Sequence, residues 1–134
     1  MLSPVIRIRI DFSDSSFVGP GKIDLLEAIR DSGSLSQAAR DLGMSYRRAW
    51  LLIDSFKSAF SEPVTLATTG GKGGGGVSLT SFGVRLVNSY RALERDIAEL
   101  AARRLRTITV AVAPQTTAKP VATRRRLARS IARH

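Results

Sequence analysis

Ser45-Tyr46-Arg47-Arg48 sets two guanidinium groups side by side behind a hydroxyl and a phenol. Farther along, Thr69-Gly-Gly-Lys72-Gly73-Gly-Gly-Gly76 carries one lysine among glycines. Arginine suits recognition chemistry because its planar fork can take a guanine edge or a phosphate two bonds at a time. A serine that opens a helix leaves backbone N–H groups facing any anion nearby. Glycines let a backbone come close to a partner, and Lys72 adds charge at that point. Both segments suit the binding of a polyanion, with no bond made or broken.

Catalysis has little to draw on. The chain has no cysteine, and its single histidine is the last residue, His134. That excludes a disulfide, a cysteine nucleophile or a cysteine-held metal, and a Ser-His or His-metal centre is not expected. We expect no enzyme, no metal site and no cofactor. Gly71 to Gly76 matches G-x-G-x-x-G letter for letter, but that fingerprint needs a helix directly after it, and a strand-like run follows instead. A P-loop fails as well, because Lys72 precedes glycine rather than serine or threonine.

The elements that must hold these residues follow from pattern. Val5 to Phe12 alternates apolar and charged residues, the period of a half-buried strand, and turn chemistry follows at Ser13 to Ser16 and Gly19-Pro20-Gly21. Ile23, Leu25, Leu26 and Ile29 predict a first helix from Lys22 to Asp31, ended by Ser32-Gly33. Ser34 caps a second helix from Leu35 to Leu42, and Gly43 is placed to stop it in the left-handed conformation. Ser45 caps a third, running to about Phe60 ahead of Pro63. Val64 to Ala67 and Val77 to Thr80 read as short strands flanking the glycines. A long helix then runs from Ser81 to about Arg104. Its Leu86, Tyr90, Leu93, Ile97 and Leu100 form a short apolar seam, suited to packing on the domain or pairing with a second copy. Ile108 to Ala113 reads as a lone strand.

The second and third helices satisfy the narrow demands of a helix-turn-helix. Ala38 and Ala39 permit close crossing, Gly43 makes the turn, and Leu42, Met44, Ala49 and Leu52 supply apolar cement. At about 100° per residue, Tyr46, Ala49, Ile53, Phe56 and Phe60 share one face, expected as core. Arg47, Leu51, Asp54 and Ser58 lie opposite, with Arg48 and Ser55 on one flank and Trp50 on the other. Such a helix can lie in a major groove, with Arg47 on a guanine edge, Leu51 on a thymine methyl, and Arg48 and Ser45 at phosphate. Trp50 is expected to pack inside, and Asp54 to pair with an arginine or mark the end of the contact surface. The glycine run then becomes a wing whose Thr69, Lys72 and Gly73 meet the DNA backbone. The fold class is mainly α with a small β-hairpin wing and an N-terminal strand: a winged helix-turn-helix plus a long C-terminal dimerisation helix.

Charge divides the chain. Its formal net charge is +10, yet residues 1–102 carry 12 Lys/Arg against 11 Asp/Glu, and residues 103–134 carry nine Lys/Arg and no acid. The division predicts a DNA-binding and dimerisation domain over 1–104 and a basic, disordered tail over 105–134. Neither a signal peptide nor an apolar run of membrane-spanning length is present, so the expected location is the cytoplasm, on the nucleoid.

The chain resembles the N-terminal DNA-binding domain of the molybdate-responsive regulator family, ModE. The likeness is carried by Gly19-Pro-Gly-Lys-Ile23, Leu25-Leu-Glu-Ala-Ile29, Gly33-Ser-Leu-Ser-Gln-Ala-Ala39, Gly43-Met-Ser-Tyr-Arg-Arg-Ala-Trp50, and Thr69 to Gly76 with Leu79-Thr80. The first helices are also similar to those of LysR-type regulators. The resemblance implies a homodimer that binds a palindromic operator. Ser45, Tyr46, Arg47 and Arg48 would start its recognition helix, Thr69 to Gly76 would form its wing, and the 81–104 helix would take the dimer-contacting position. It also implies molybdate-binding domains in full-length members. Here 32 residues follow Ala102 and contain no Ser-Ala-Arg-Asn-Gln-like motif. Molybdate binding by this chain is not expected, and a regulatory signal would come from a separate sensor partner if there is one. The expected function is sequence-specific transcriptional regulation on double-stranded DNA. Its rivals are a non-specific nucleoid binder dominated by the tail and a winged helix that binds protein.

Overall fold

Pro20 has no N–H to leave unpaired, and it opens the first helix, α1 (Pro20–Ser32), ahead of the expected Lys22. The computed structural model describes residues 4–71 and 74–114. Before α1, two short strands pair antiparallel, β1 (Ile10–Asp11) and β2 (Phe17–Val18). The alternation of Val5 to Phe12 persists in burial, with Ile6, Ile8 and Ile10 half-buried and Arg7, Arg9 and Asp11 exposed. Only two of these residues enter a ladder, because their partner strand gives way at once to Gly19 and α1. The expected eight-residue strand is thus mostly an extended strap.

The helix-turn-helix forms as its caps dictate. α2 (Leu35–Asp41) starts at Ser34, whose Oγ accepts the Gln37 N–H at 3.1 Å. Gly43 adopts φ 68°, a conformation open to glycine at little cost, and turns the chain toward α3 (Tyr46–Ala59). Ser45 caps α3 through the Arg48 N–H at 3.0 Å. Leu25, Ile29, Ala38, Ala39 and Ala49 bury together where the three helices meet, with Leu42, Met44 and Leu52 packed around them. Three alanines at the crossing are what let these helices approach closely.

Two longer strands follow, β3 (Thr65–Gly71) and β4 (Gly74–Leu79), paired antiparallel from Thr65 opposite Leu79 to Gly71 opposite Gly74. The pairing shifts register between Thr68 and Gly71. This corrects the expected glycine loop: the ladder continues well into the glycines. The hairpin root is stapled to the rest of the domain, because the Val77 N–H donates to the Gly33 carbonyl at 3.0 Å. A Cβ on Gly76 would sit 2.8 Å from that carbonyl and 2.7 Å from Thr68 Oγ1. One glycine of the run is therefore needed by the fold itself.

α4 (Ser81–Arg104) begins as expected, capped by Thr80, and a short α5 (Arg106–Val110) follows it. The run expected as a lone strand, Ile108 to Ala113, is helical over its first residues. With no neighbouring strand among the described residues, local helical bonds such as Thr109 N–H to Leu105 carbonyl are the ones available. The tail expected to be disordered from residue 105 is helical over Arg106–Val110, and its residues 115–134 lie outside the described residues. A second apolar cluster, Val18, Ile23, Leu26, Phe56, Val64, Val87 and Tyr90, joins α1, α3 and α4. Each such side chain contributes about 1.5–3 kcal/mol when fully buried. Arg91 adds a polar tie between α1 and α4: its guanidinium reaches Asp24 and Glu27 at 2.6 Å and Glu94 at 2.7 Å. Hydrogen bonding to Glu27 holds the Arg91 pKa above its ordinary value, and the same bond holds the Glu27 carboxyl below its own.

Candidate nucleic-acid interface

The Ser45 cap fixes the first turn of α3, and with it the direction of every side chain that follows. Arg47 is exposed, with no partner for its guanidinium among the described residues. Leu51 is exposed on the same side. Arg48 behaves differently. It is half-buried, and its Nε is buried without a hydrogen-bond partner among the described residues. Its charge is felt at Lys22, a buried lysine whose Nζ donates to the Phe17 carbonyl at 2.9 Å and rests 3.8 Å from the Phe17 ring centroid. Arg9 covers the same ring, also at 3.8 Å. Burial first, then the charges of Arg9 and Arg48, hold the Lys22 ammonium below the ordinary lysine range.

Two aromatic residues depart from expectation. Tyr46, assigned to the core face by helical phase, is 56% exposed, and Trp50, expected to pack inside, is 48% exposed. Both point outward because the inner arc of α3 is already filled by Ala49 and Phe56, with Ile53 and Phe60 beside them. The available signal was the wheel itself: Trp50 lies between Tyr46 and Arg47, so whichever arc exposes both neighbours exposes it too. Asp54 pairs with Lys57 at 3.1 Å rather than with an arginine. Beyond the hydroxyl cap, the outward face of the first two turns therefore presents a phenol, an indole, an isobutyl group and one guanidinium.

The wing can be placed only in part. Its strands are described, but Lys72, Gly73 and the side chain of Thr69 lie outside the described residues. Among the described residues no group of His, Cys, Asp or Glu could hold a metal ion, and no helix is long and apolar enough to cross a membrane.

The apolar seam of α4 is divided. Leu86 packs against the core, and Tyr90 is buried with its hydroxyl donating to the Ile8 carbonyl. Both are thus engaged within the chain, the first of the two uses expected for this seam. Leu93 and Leu100 are exposed, and Ile97 is half-buried between them. Leu105, Ile108 and Val112 extend the exposed apolar residues beyond α4. Ile108 and Val112 fall in the run expected as a lone strand, and Leu105 at the head of the expected tail, so neither expectation joined them to the α4 seam.

Comparison with known proteins places this arrangement. No family model matches the chain. The molybdenum transport protein ModE of Azotobacter vinelandii is 40% identical over 88 residues, 66% of this chain and 33% of that protein. The molybdenum-pterin-binding protein MopB of Rhodobacter capsulatus is 41% identical over 83 residues, 62% of this chain and 31% of that protein. The DNA-binding transcriptional dual regulator ModE of Escherichia coli K12 is 40% identical over 88 residues, 66% of this chain and 34% of that protein. The chain spans about a third of the length of the curated relatives it matches.

Proposed function

Since the chain carries a ModE-type domain, matching the N-terminal part of those relatives, we propose that it is a DNA-binding transcriptional regulator that reads a palindromic operator as a homodimer. The outward face of α3 supports this reading above all: a capped helix start bearing the unpartnered Arg47. In it, Arg47 takes a base edge, Leu51 an adjacent methyl, and Ser45 with the helix start the approach to phosphate, Tyr46 lying beside them on the DNA-facing turn. Arg48 serves from the flank, its terminal nitrogens toward the backbone. The β3–β4 wing, with Thr69, Lys72 and Gly73 at its end, follows the neighbouring phosphates. Leu93, Ile97 and Leu100 meet the second copy. Two recognition helices then enter successive major grooves about 34 Å apart. The working place of the protein is the cytoplasm, and the domain ends near residue 104, with the basic residues beyond it adding sequence-independent attraction.

The test is selection from a pool of genomic DNA fragments by the full chain at near-physiological salt. The expected result is enrichment of one palindrome, with the Arg47→Ala variant losing about 1–3 kcal/mol on it. Retention of DNA without sequence preference would overturn the proposal. It would favour the second reading, which the nine Lys/Arg and absent acids of residues 103–134 support: a non-specific binder whose affinity falls by roughly 0.9 log units per neutralised phosphate for each tenfold rise in salt.

A further inference from the structure

Tyr46, Trp50 and Leu51 lie within the first two turns of α3, and each leaves roughly half of its surface in water. A solvated helix face is normally polar, and large apolar side chains grouped in water mark a surface that something else covers. The fold does not cover them, because Ala49 and Phe56 already occupy the inner arc. The charge around the patch narrows the occupant. Arg47 sits on the same face, α3 presents the positive end of its dipole there, and Asp54 is occupied by Lys57. A second copy of this face would be repelled, whereas a groove walled by phosphates would be attracted.

We propose that Tyr46, Trp50 and Leu51 form an apolar reading surface for the C5-methyl groups of thymines, so that α3 selects a half-site bearing thymine next to the base pair held by Arg47. The proposal rests on the reading of α3 as the DNA-contacting helix. Thymine alone among the four bases shows a methyl group in the major groove. Bases in a duplex stay stacked, so an indole or phenol on a groove-lying helix meets base edges rather than faces. Tyr46 and Trp50 are one helical turn apart, about 6 Å along the axis. That is close to two base steps of about 3.4 Å, which places the contacted thymines two base pairs apart, with one base pair between them.

The test uses the full chain and the sequence it enriches from the DNA pool. Each thymine of one half-site is replaced in turn by deoxyuridine, which removes the methyl and nothing else. Wild-type protein should bind about fourfold more weakly for each contacted methyl removed, the ratio that burial of one CH2-sized group carries. Trp50→Ala should bind the parent site more weakly and lose its response to deoxyuridine at one of those positions. Equal binding of parent and deoxyuridine sites by the wild-type chain overturns this inference while leaving the proposed function standing. Failure to enrich any sequence overturns both. A Trp50→Ala variant that changes sedimentation while every deoxyuridine site binds as before would assign the patch to a protein partner and overturn the inference as well.

Discussion

Replacing Gly83 by alanine should destabilise the domain, although alanine is the better helix former. Gly83 lies in the first turn of α4, where its N–H donates to Thr80 Oγ1 at 3.0 Å. A Cβ built there would lie 2.2 Å from the Val64 carbonyl oxygen and 3.1 Å from its carbon. Carbon and oxygen in contact need more room, so α4 and the residue before β3 would have to part by about 1 Å. The same Val64 carbonyl accepts the Thr80 N–H at 3.0 Å, so that hydrogen bond stretches as well. Overpacking costs about 1–3 kcal/mol and the weakened bond about 1 kcal/mol, against a propensity gain of at most about 1 kcal/mol. The net is a loss of about 2 kcal/mol, or a Tm lower by about 8–16 °C in a domain of this size. Gly21→Ala is the control: Gly21 lies in α1, is exposed, and a Cβ there meets nothing within 4 Å. It should raise stability by about 0.5–1 kcal/mol. Thermal melts by circular dichroism on both variants and the parent decide the matter. A Gly83→Ala protein melting at or above the parent would refute the argument from close approach.

Three further outcomes are expected. Ser45→Ala should cost about 1 kcal/mol in urea unfolding and Ser45→Gly only a few tenths, since glycine also suits a helix cap. Equal losses would mean that the Ser45 hydroxyl is not what holds the start of α3. Glu27, hydrogen-bonded to Arg91, has a folded pKa below its ordinary 4.5, so its contribution is present above that value and lost as pH falls through the lowered one. The stability gap between the parent and Glu27→Gln should therefore be full at pH 7 and shrink from about pH 5 downward; a constant gap in urea melts across that range would contradict the pairing. Finally, Arg47→Ala should leave the unfolding free energy within about 0.5 kcal/mol of the parent, as an exposed side chain without a partner, while specific DNA retention falls. A coupled loss of both would show that Arg47 supports the fold.

The helix-turn-helix was the most legible part of the chain because its determinants are local. Ser34 and Ser45 each cap a helix from three residues away, and Gly43 turns the chain through its own φ. The bounds of α4 were read as Ser81 to about Arg104, and the structure supplies the cap that starts it, the Thr80 hydroxyl accepting the Gly83 N–H. The wing was legible as a hairpin but not in extent, since glycines read as a loop until a ladder is found running through them.

Amino-acid order alone determined, to within a residue, where α2, α3 and α4 begin and end and which alanines stand at the crossing, because caps, turns and periodicity act over three or four residues. It also determined that no cysteine or internal histidine is present for catalysis. Tertiary structure decided which arc of α3 faces water, and so turned Tyr46 and Trp50 outward against expectation. It split the α4 seam, taking Leu86 and Tyr90 inward and leaving Leu93 and Leu100 exposed. It brought Arg91 onto Asp24 and Glu27, 67 and 64 residues away in the chain. A helical wheel fixes the angles between side chains but not which of them a distant segment will cover, and that coverage exists only once the chain has folded back on itself.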